Sequence, residues 1–186
     1  MQDVIEKVIA FADKAHGSQT RRYTDDRYIV HPIRVMETCK VYTDEISVLA
    51  AAILHDVLED THVSKESMTA FLQTVMTDEQ AAKTIGLVVE LTDVFVKESF
   101  PKWNRRKRKQ HELDRLEKTS AEAQTIKYAD IMDNAPEVAE KDPDFGQRFL
   151  RECRALLKRM KLGNAELHQK AVESVEKSFA SLKRRH

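Results

Sequence analysis

Residues Ala51 to Thr61 read AAILHDVLEDT, an apolar helical run that ends in a knot of ionisable groups. Ala50, Ala51, Ile53 and Leu54 are core residues by type, yet His55 and Asp56 follow with no spacer, then Glu59 and Asp60. Burying such groups is unfavourable unless something neutralises them. Neighbours in sequence leave a helix about 100° apart, so His55 and Asp56 at a helix end can both reach one point beyond it. With helical geometry continued, Glu59 stacks near His55 and Asp60 near Asp56, because residues four apart share a face. Imidazole and carboxylate together suit a divalent cation such as Mn, Fe or Zn, which lowers the pKa of a bound water.

Outward from this stretch the periodicity is helical nearly throughout. Val4, Ile5, Val8, Ile9 and Ala12 stripe a first helix that ends near His16, and the charged loop GSQTRRYTDDR follows. In HPIRVMETCKVY, Pro32 sits where a first-turn proline is tolerated, which places His31 at or just before a helix start. Thr43 or Asp44 is the expected cap of a helix from Glu45 to about Asp56, and a short helix runs from Ser64 to about Val75. TDEQ, Thr77 to Gln80, reads as a capping box for a helix reaching about Val94. Beyond a loop at Phe100-Pro101 come a basic helix and one capped by Ser120. Asp142-Pro143 opens a helix ending at Gly163, and Asn164 caps a last one to about Arg184. The expectation is a single all-α domain over residues 1–186.

Composition narrows the function classes. The chain has 186 residues, 41% hydrophobic and 33% charged, enough for a packed core. Four glycines and four prolines are too few for an ordinary many-stranded sheet protein. The formal net charge is zero, which argues against a dedicated nucleic-acid binder. Cys39 and Cys153 lack a partner spacing such as CxxC, so reduced thiols in a cytoplasmic protein are expected. The opening MQDVIEKVIAFADKAH mixes acids and lysines into its apolar residues, unlike a signal peptide, and no apolar run approaches membrane-spanning length.

Two further stretches carry candidate chemistry. IKYADIMDN offers Lys127, Asp130 and Asn134 at i, i+3 and i+7, one helix face, among Ile126, Ala129, Ile131 and Met132. The run Lys102 to Lys109, KWNRRKRK, concentrates positive charge in a neutral chain. It reads either as a solvated face paired with ELDRLE or as a phosphate clamp using Arg105 and Arg106.

Taken as a set, these motifs resemble the HD-domain phosphohydrolases, and more narrowly the hydrolase domain of RelA/SpoT proteins and the small stand-alone alarmone hydrolases. The likeness lies in Tyr28-x-x-His31-Pro32, His55-Asp56-x-x-Glu59-Asp60-Thr61, Lys127-x-Ala129-Asp130 with Asn134 beyond, and the loop AHGSQTRRY. It covers about Val4 to Glu140, while the two helices from Asp142 onward add only helical packing. The resemblance implies one Mn2+ held by His31, His55, Asp56 and Asp130, with Glu59 and Asp60 orienting or activating the attacking water. It implies hydrolysis of the 3′-pyrophosphate of guanosine tetra- or pentaphosphate, giving GDP or GTP and pyrophosphate. The basic positions of the loop fall on Arg21 and Arg22, whose guanidinium planes suit stacking on a purine; Asn134 is placed for the ribose and Lys127 for phosphate or for bracing the site. No room remains for a synthetase or regulatory domain, which suits a stand-alone hydrolase.

Departures leave other substrates open. RRYTDDRY is about one residue longer than the family's loop and lacks its glycine, ELTDVFVKES replaces Val-Asp-Gly-Val-Thr-Lys, and DIMDN replaces the basic Asp-Arg-Leu-His-Asn. An adenosine alarmone, NADPH or a nucleoside phosphate is the alternative, and a nucleotide-binding module without turnover is the reading from a different class.

Overall fold

A computed structural model describes residues 2–184. Those residues form ten helices: α1 Gln2–His16, α2 Val30–Lys40, α3 Ile46–Leu54, α4 Val57–Asp60, α5 Lys65–Val75, α6 Asp78–Leu91, α7 Arg105–Leu116, α8 Ala121–Lys141, α9 Pro143–Arg159 and α10 Ala165–Lys183. No strand occurs among them beyond an isolated bridge between Thr20 and Arg27. The fold is all-α. The chain divides after Thr92 into two compact units.

The first unit is built around α3. Val48 to Leu54 are all at most 2% exposed, as befits a helix apolar on every side. It packs against α1, α2 and α6. Each large apolar side chain buried this way contributes about 1.5–3 kcal/mol. The helix stops at Leu54, two residues short of the sequence expectation. His55 Nδ1 lies 2.8 Å from the Ala52 carbonyl, the acceptor that an uninterrupted helix reserves for the Asp56 N–H. The chain turns at His55 and Asp56, and α4 restarts at once. Thr61 closes α4, with its hydroxyl donating to the Val57 carbonyl at 2.7 Å and accepting from the Val63 N–H at 3.1 Å. Neither Thr43 nor Asp44 caps α3: Glu45 holds the N-cap position, and Thr43 Oγ1 instead accepts from the Glu45 N–H at 3.1 Å.

Other starts follow the side-chain chemistry. Ser64, Ser120 and Asn164 each accept a backbone N–H at their N-caps, Thr77 and Gln80 form a full capping box, and Asp142 caps α9 ahead of Pro143. Ends were less legible: α6 stops at Leu91 and α9 at Arg159, short of Val94 and Gly163.

The second unit centres on α8, which packs against α9 and α10, while α7 packs against α9. Tyr128 is fully buried, and its hydroxyl sits 3.1 Å from Gln124 Oε1 and 3.0 Å from the Met160 carbonyl. Close packing here requires Gly163, since a Cβ on it would meet Tyr128 Cε2 at 2.6 Å and the Thr125 N at 2.8 Å. α8 continues through Pro136, which is exposed, so the missing N–H falls on the solvent side.

Candidate metal centre

The break after α3 turns two ligand-type side chains toward a third from α2. His31 lies in the first turn of α2 and is 1% exposed; His55 is 3% exposed. One ligand atom each from His31, His55 and Asp56 falls within 4.8 Å of the others. Asp56 Oδ2 lies 3.1 Å from His55 Nε2 and 3.6 Å from His31 Nε2. The carbonyl of Ala52 can only accept, so His55 Nδ1 carries the proton in this contact, which leaves Nε2, on the Asp56 side, as the nitrogen able to ligate. A backbone carbonyl fixing one imidazole nitrogen so that the other can ligate is a common outer-shell arrangement at metal sites. Two imidazole nitrogens and a carboxylate oxygen gathered within 4.8 Å of one another are a donor set that suits a divalent cation such as Mn, Fe or Zn. The donor set fits the cation that the sequence implies.

Glu59 and Asp60 follow on α4, both with exposed surface. The Asp60 N–H donates to the Asp56 carbonyl at 2.8 Å, which keeps the two acids on one side despite the break. Desolvation raises the Asp60 carboxyl above its ordinary range, and the Asp56 charge raises it further. The Tyr28 hydroxyl, His16 and His55 draw it back. Because Asp60 is exposed by area, solvent limits the size of this shift.

Two residues to which sequence reasoning gave no role join this corner. Tyr28 donates to Asp56 Oδ2 at 2.7 Å, and His16 stacks on the Tyr28 ring with centroids 4.4 Å apart. The available cue was Tyr28's place three residues ahead of His31, one turn away at the mouth of α2. His16 closes α1 just before Gly17, whose φ of +57° makes the turn, and its cue was its place at the head of AHGSQTRRY. Arg21 is buried, with its guanidinium 5.8 Å from the Tyr28 centroid, whereas Arg22 is exposed with its own 5.3 Å from that of Tyr23.

In the second unit the three polar residues of α8 meet as their spacing predicts. Lys127 Nζ lies 2.8 Å from Asp130 Oδ2, and Asn134 Nδ2 donates to Asp130 Oδ1 at 2.6 Å. Asp130 is 7% exposed. The basic run is largely engaged by residues other than ELDRLE. Arg105 forms a forked pair with Glu152 at 2.9 and 2.6 Å, Lys109 pairs with Asp93 at 2.7 Å, and Arg108 donates to the Trp103 carbonyl. Lys107 lies over the Trp103 ring at 4.2 Å, and Trp103 packs with Phe95, Phe100 and His111. Arg106 is exposed. Burial pushes the thiols of Cys39 and Cys153 up to about 12, far above a reactive thiolate's range.

The sequence pattern of the HD domain matches residues 28–135, more than half of the chain. The chain belongs to the HD domain family. Among HD relatives, MESH1 of Drosophila melanogaster, a guanosine-3′,5′-bis(diphosphate) 3′-pyrophosphohydrolase, is 33% identical over 141 residues, covering 73% of this chain and 69% of that protein. A probable guanosine-3′,5′-bis(diphosphate) 3′-pyrophosphohydrolase of Mycoplasma pneumoniae is 26% identical over 137 residues, 70% of this chain. The chain spans only 18% of that relative's length. The solved structure of a metazoan ortholog of SpoT that hydrolyses ppGpp superimposes with a TM-score of 0.77 at 26% identity, over 94% of each chain. No helix among the described residues is long and apolar enough to cross a membrane.

Proposed function

We propose that this protein is a metal-dependent phosphohydrolase that removes the 3′-pyrophosphate of guanosine tetra- or pentaphosphate, releasing pyrophosphate and GDP or GTP, with Mn2+ as its cation. The observation that carries the reading is the convergence of His31, His55 and Asp56, with the acids Glu59 and Asp60 directly downstream, in an HD-family chain homologous to MESH1. Asp130 is the proposed fourth ligand, supported by its match to the Lys-x-Ala-Asp motif and by its burial. Lys127 and Asn134 orient its carboxylate without using up its acceptor sites, since an ionised carboxylate has about four. The HD match runs from residue 28 to 135 across the boundary after Thr92, which supports one working domain over 1–186.

A bound divalent cation lowers the pKa of a coordinated water and offsets the negative charge on phosphate oxygens. The protein side chains do the rest. Glu59 and Asp60 hold the attacking water and accept its proton, a general-base contribution of ~10²–10⁴-fold. The water oxygen bonds to the phosphorus on the ribose 3′ oxygen, the bond between that phosphorus and the 3′ oxygen breaks, and the 3′ oxygen ends protonated. Glu59 is the proposed principal water-positioning group and Asp60 its partner. Lys127 and the exposed Arg106 are the proposed phosphate contacts; Arg105 contributes through Glu152 rather than directly. Arg22 is the proposed stacking partner of the purine, Arg21 supports it from behind Tyr28, and Asn134 holds the ribose. A nucleotide in the cytoplasm is the proposed partner, with no role for nucleic acid or membrane, in keeping with the zero net charge.

A second reading, hydrolysis of another nucleotide, is favoured by the burial of Arg21, which leaves one exposed arginine to select the base. The test is to strip the protein of metal, restore Mn2+, and offer guanosine tetraphosphate, its adenosine counterpart and NADPH. Pyrophosphate release from the guanosine compound is expected. Release from another compound alone selects the second reading, and tight binding without turnover sinks both.

A further inference from the structure

Tyr28 stands just ahead of α2 with its hydroxyl between two acids. It donates to Asp56 Oδ2 at 2.7 Å, the same oxygen that lies 3.1 Å from His55 Nε2 and 3.6 Å from His31 Nε2.

The terminal torsion of an aspartate is broad and two-fold, so nothing intrinsic to Asp56 decides which oxygen faces the imidazoles. The Ala52 carbonyl places a proton on His55 Nδ1, the nitrogen turned away from Asp56. A donor from outside the pair fixes the choice. Tyr28 is that donor, and its own ring has little freedom. His16 stacks on it at 4.4 Å and 29°, His31 meets it edge-on at 6.1 Å, and the Arg21 guanidinium lies 5.8 Å from its centroid. His16 is fixed in turn, buried with Nδ1 3.0 Å from Gln19 Oε1.

We propose that Tyr28 is a positioning residue of the cation site, whose hydroxyl sets the rotation of Asp56 so that Oδ2 faces both imidazoles. The inference rests on the reading of His31, His55 and Asp56 as metal ligands. It goes beyond that reading by making cation affinity depend on a group that never touches the cation.

The experiment is a calorimetric titration of the metal-stripped full chain with Mn2+, comparing wild type with Tyr28→Phe. The variant keeps the ring, its stack on His16 and its edge contact with His31, and loses only the hydroxyl. Loss of an outer-shell partner weakens metal affinity by roughly 10–100-fold, and that weakening is expected here, with far-UV circular dichroism and the metal-free melting temperature close to wild type. At saturating Mn2+, the variant's kcat is expected to fall with little change in KM, because Asp56 has lost the donor that fixes its rotation. A Kd within twofold of wild type overturns the proposal even if turnover is altered. A wild-type chain that binds no Mn2+ overturns both the proposal and the ligand reading beneath it.

Discussion

Asp56 and Asp130 are aspartates of the same motif set, and their surroundings differ in kind. Asp56 shares its corner with two imidazoles and a phenol, whereas Asp130 is cradled by an ammonium at 2.8 Å and an amide at 2.6 Å. The first arrangement gathers lone pairs and gains most from a cation. The second is neutralised by its own helix. An acid that its unit leaves in need of positive charge marks a place for a ligand, while one already matched marks a group that the fold has oriented in advance.

The sharpest way to break this comparison is Asp56→Asn. Mn2+ affinity should fall by more than the ~100-fold that follows loss of an outer-shell partner, and turnover should drop to background, both read by titration and product assay. Retained affinity would show that the corner of the first unit is not where the cation sits. For the second unit, Lys127→Met keeps the length and removes the charge. Leaving a buried carboxylate short of a partner is destabilising by about 1–3 kcal/mol, so the urea midpoint should fall. An unchanged midpoint would mean that Lys127 does not neutralise Asp130.

Gly163→Ala separates stability from the cation altogether. Its Cβ collides with Tyr128 and Thr125, and such overpacking is destabilising by about 1–3 kcal/mol, while Mn2+ affinity should stay at the wild-type value. A weakened affinity in this variant would blur the distinction between the two regions.

The smallest effect concerns Asp60 in the metal-free protein. Its folded pKa is raised above 3.8, so the native state holds this proton where the unfolded chain has released it. The associated stability is full below that pH and lost as pH rises through the folded value. Asn cannot ionise, so Asp60→Asn should match wild type near about pH 3 and melt progressively higher than it as pH rises from about 4 through the folded pKa, the difference staying constant above that. A difference that does not change with pH would show that the acid's charge is not what strains this corner.

Helix starts were readable wherever one side chain decides them: Ser64, the Thr77–Gln80 box, Ser120, Asp142-Pro143 and Asn164 all cap as their types dictate. The break at His55 was not readable, because it turns on the imidazole reaching the Ala52 carbonyl, and helical periodicity carries no sign of that. The three metal-ligand types of the first unit were legible from spacing and motif. Tyr28 and His16 went without a role because their contribution comes from contacts across a turned loop. The pairing of Arg105 was not readable, because Glu152, its partner at 2.6 Å, lies in α9, far outside the charge run.

The most direct test of the central claim is pulsed electron paramagnetic resonance on the chain loaded with one equivalent of Mn2+. Nitrogen-14 couplings from two directly bound imidazoles are expected, one lost in His31→Ala and the other in His55→Ala. Mn2+ bound without nitrogen coupling, or couplings indifferent to both substitutions, would contradict the account.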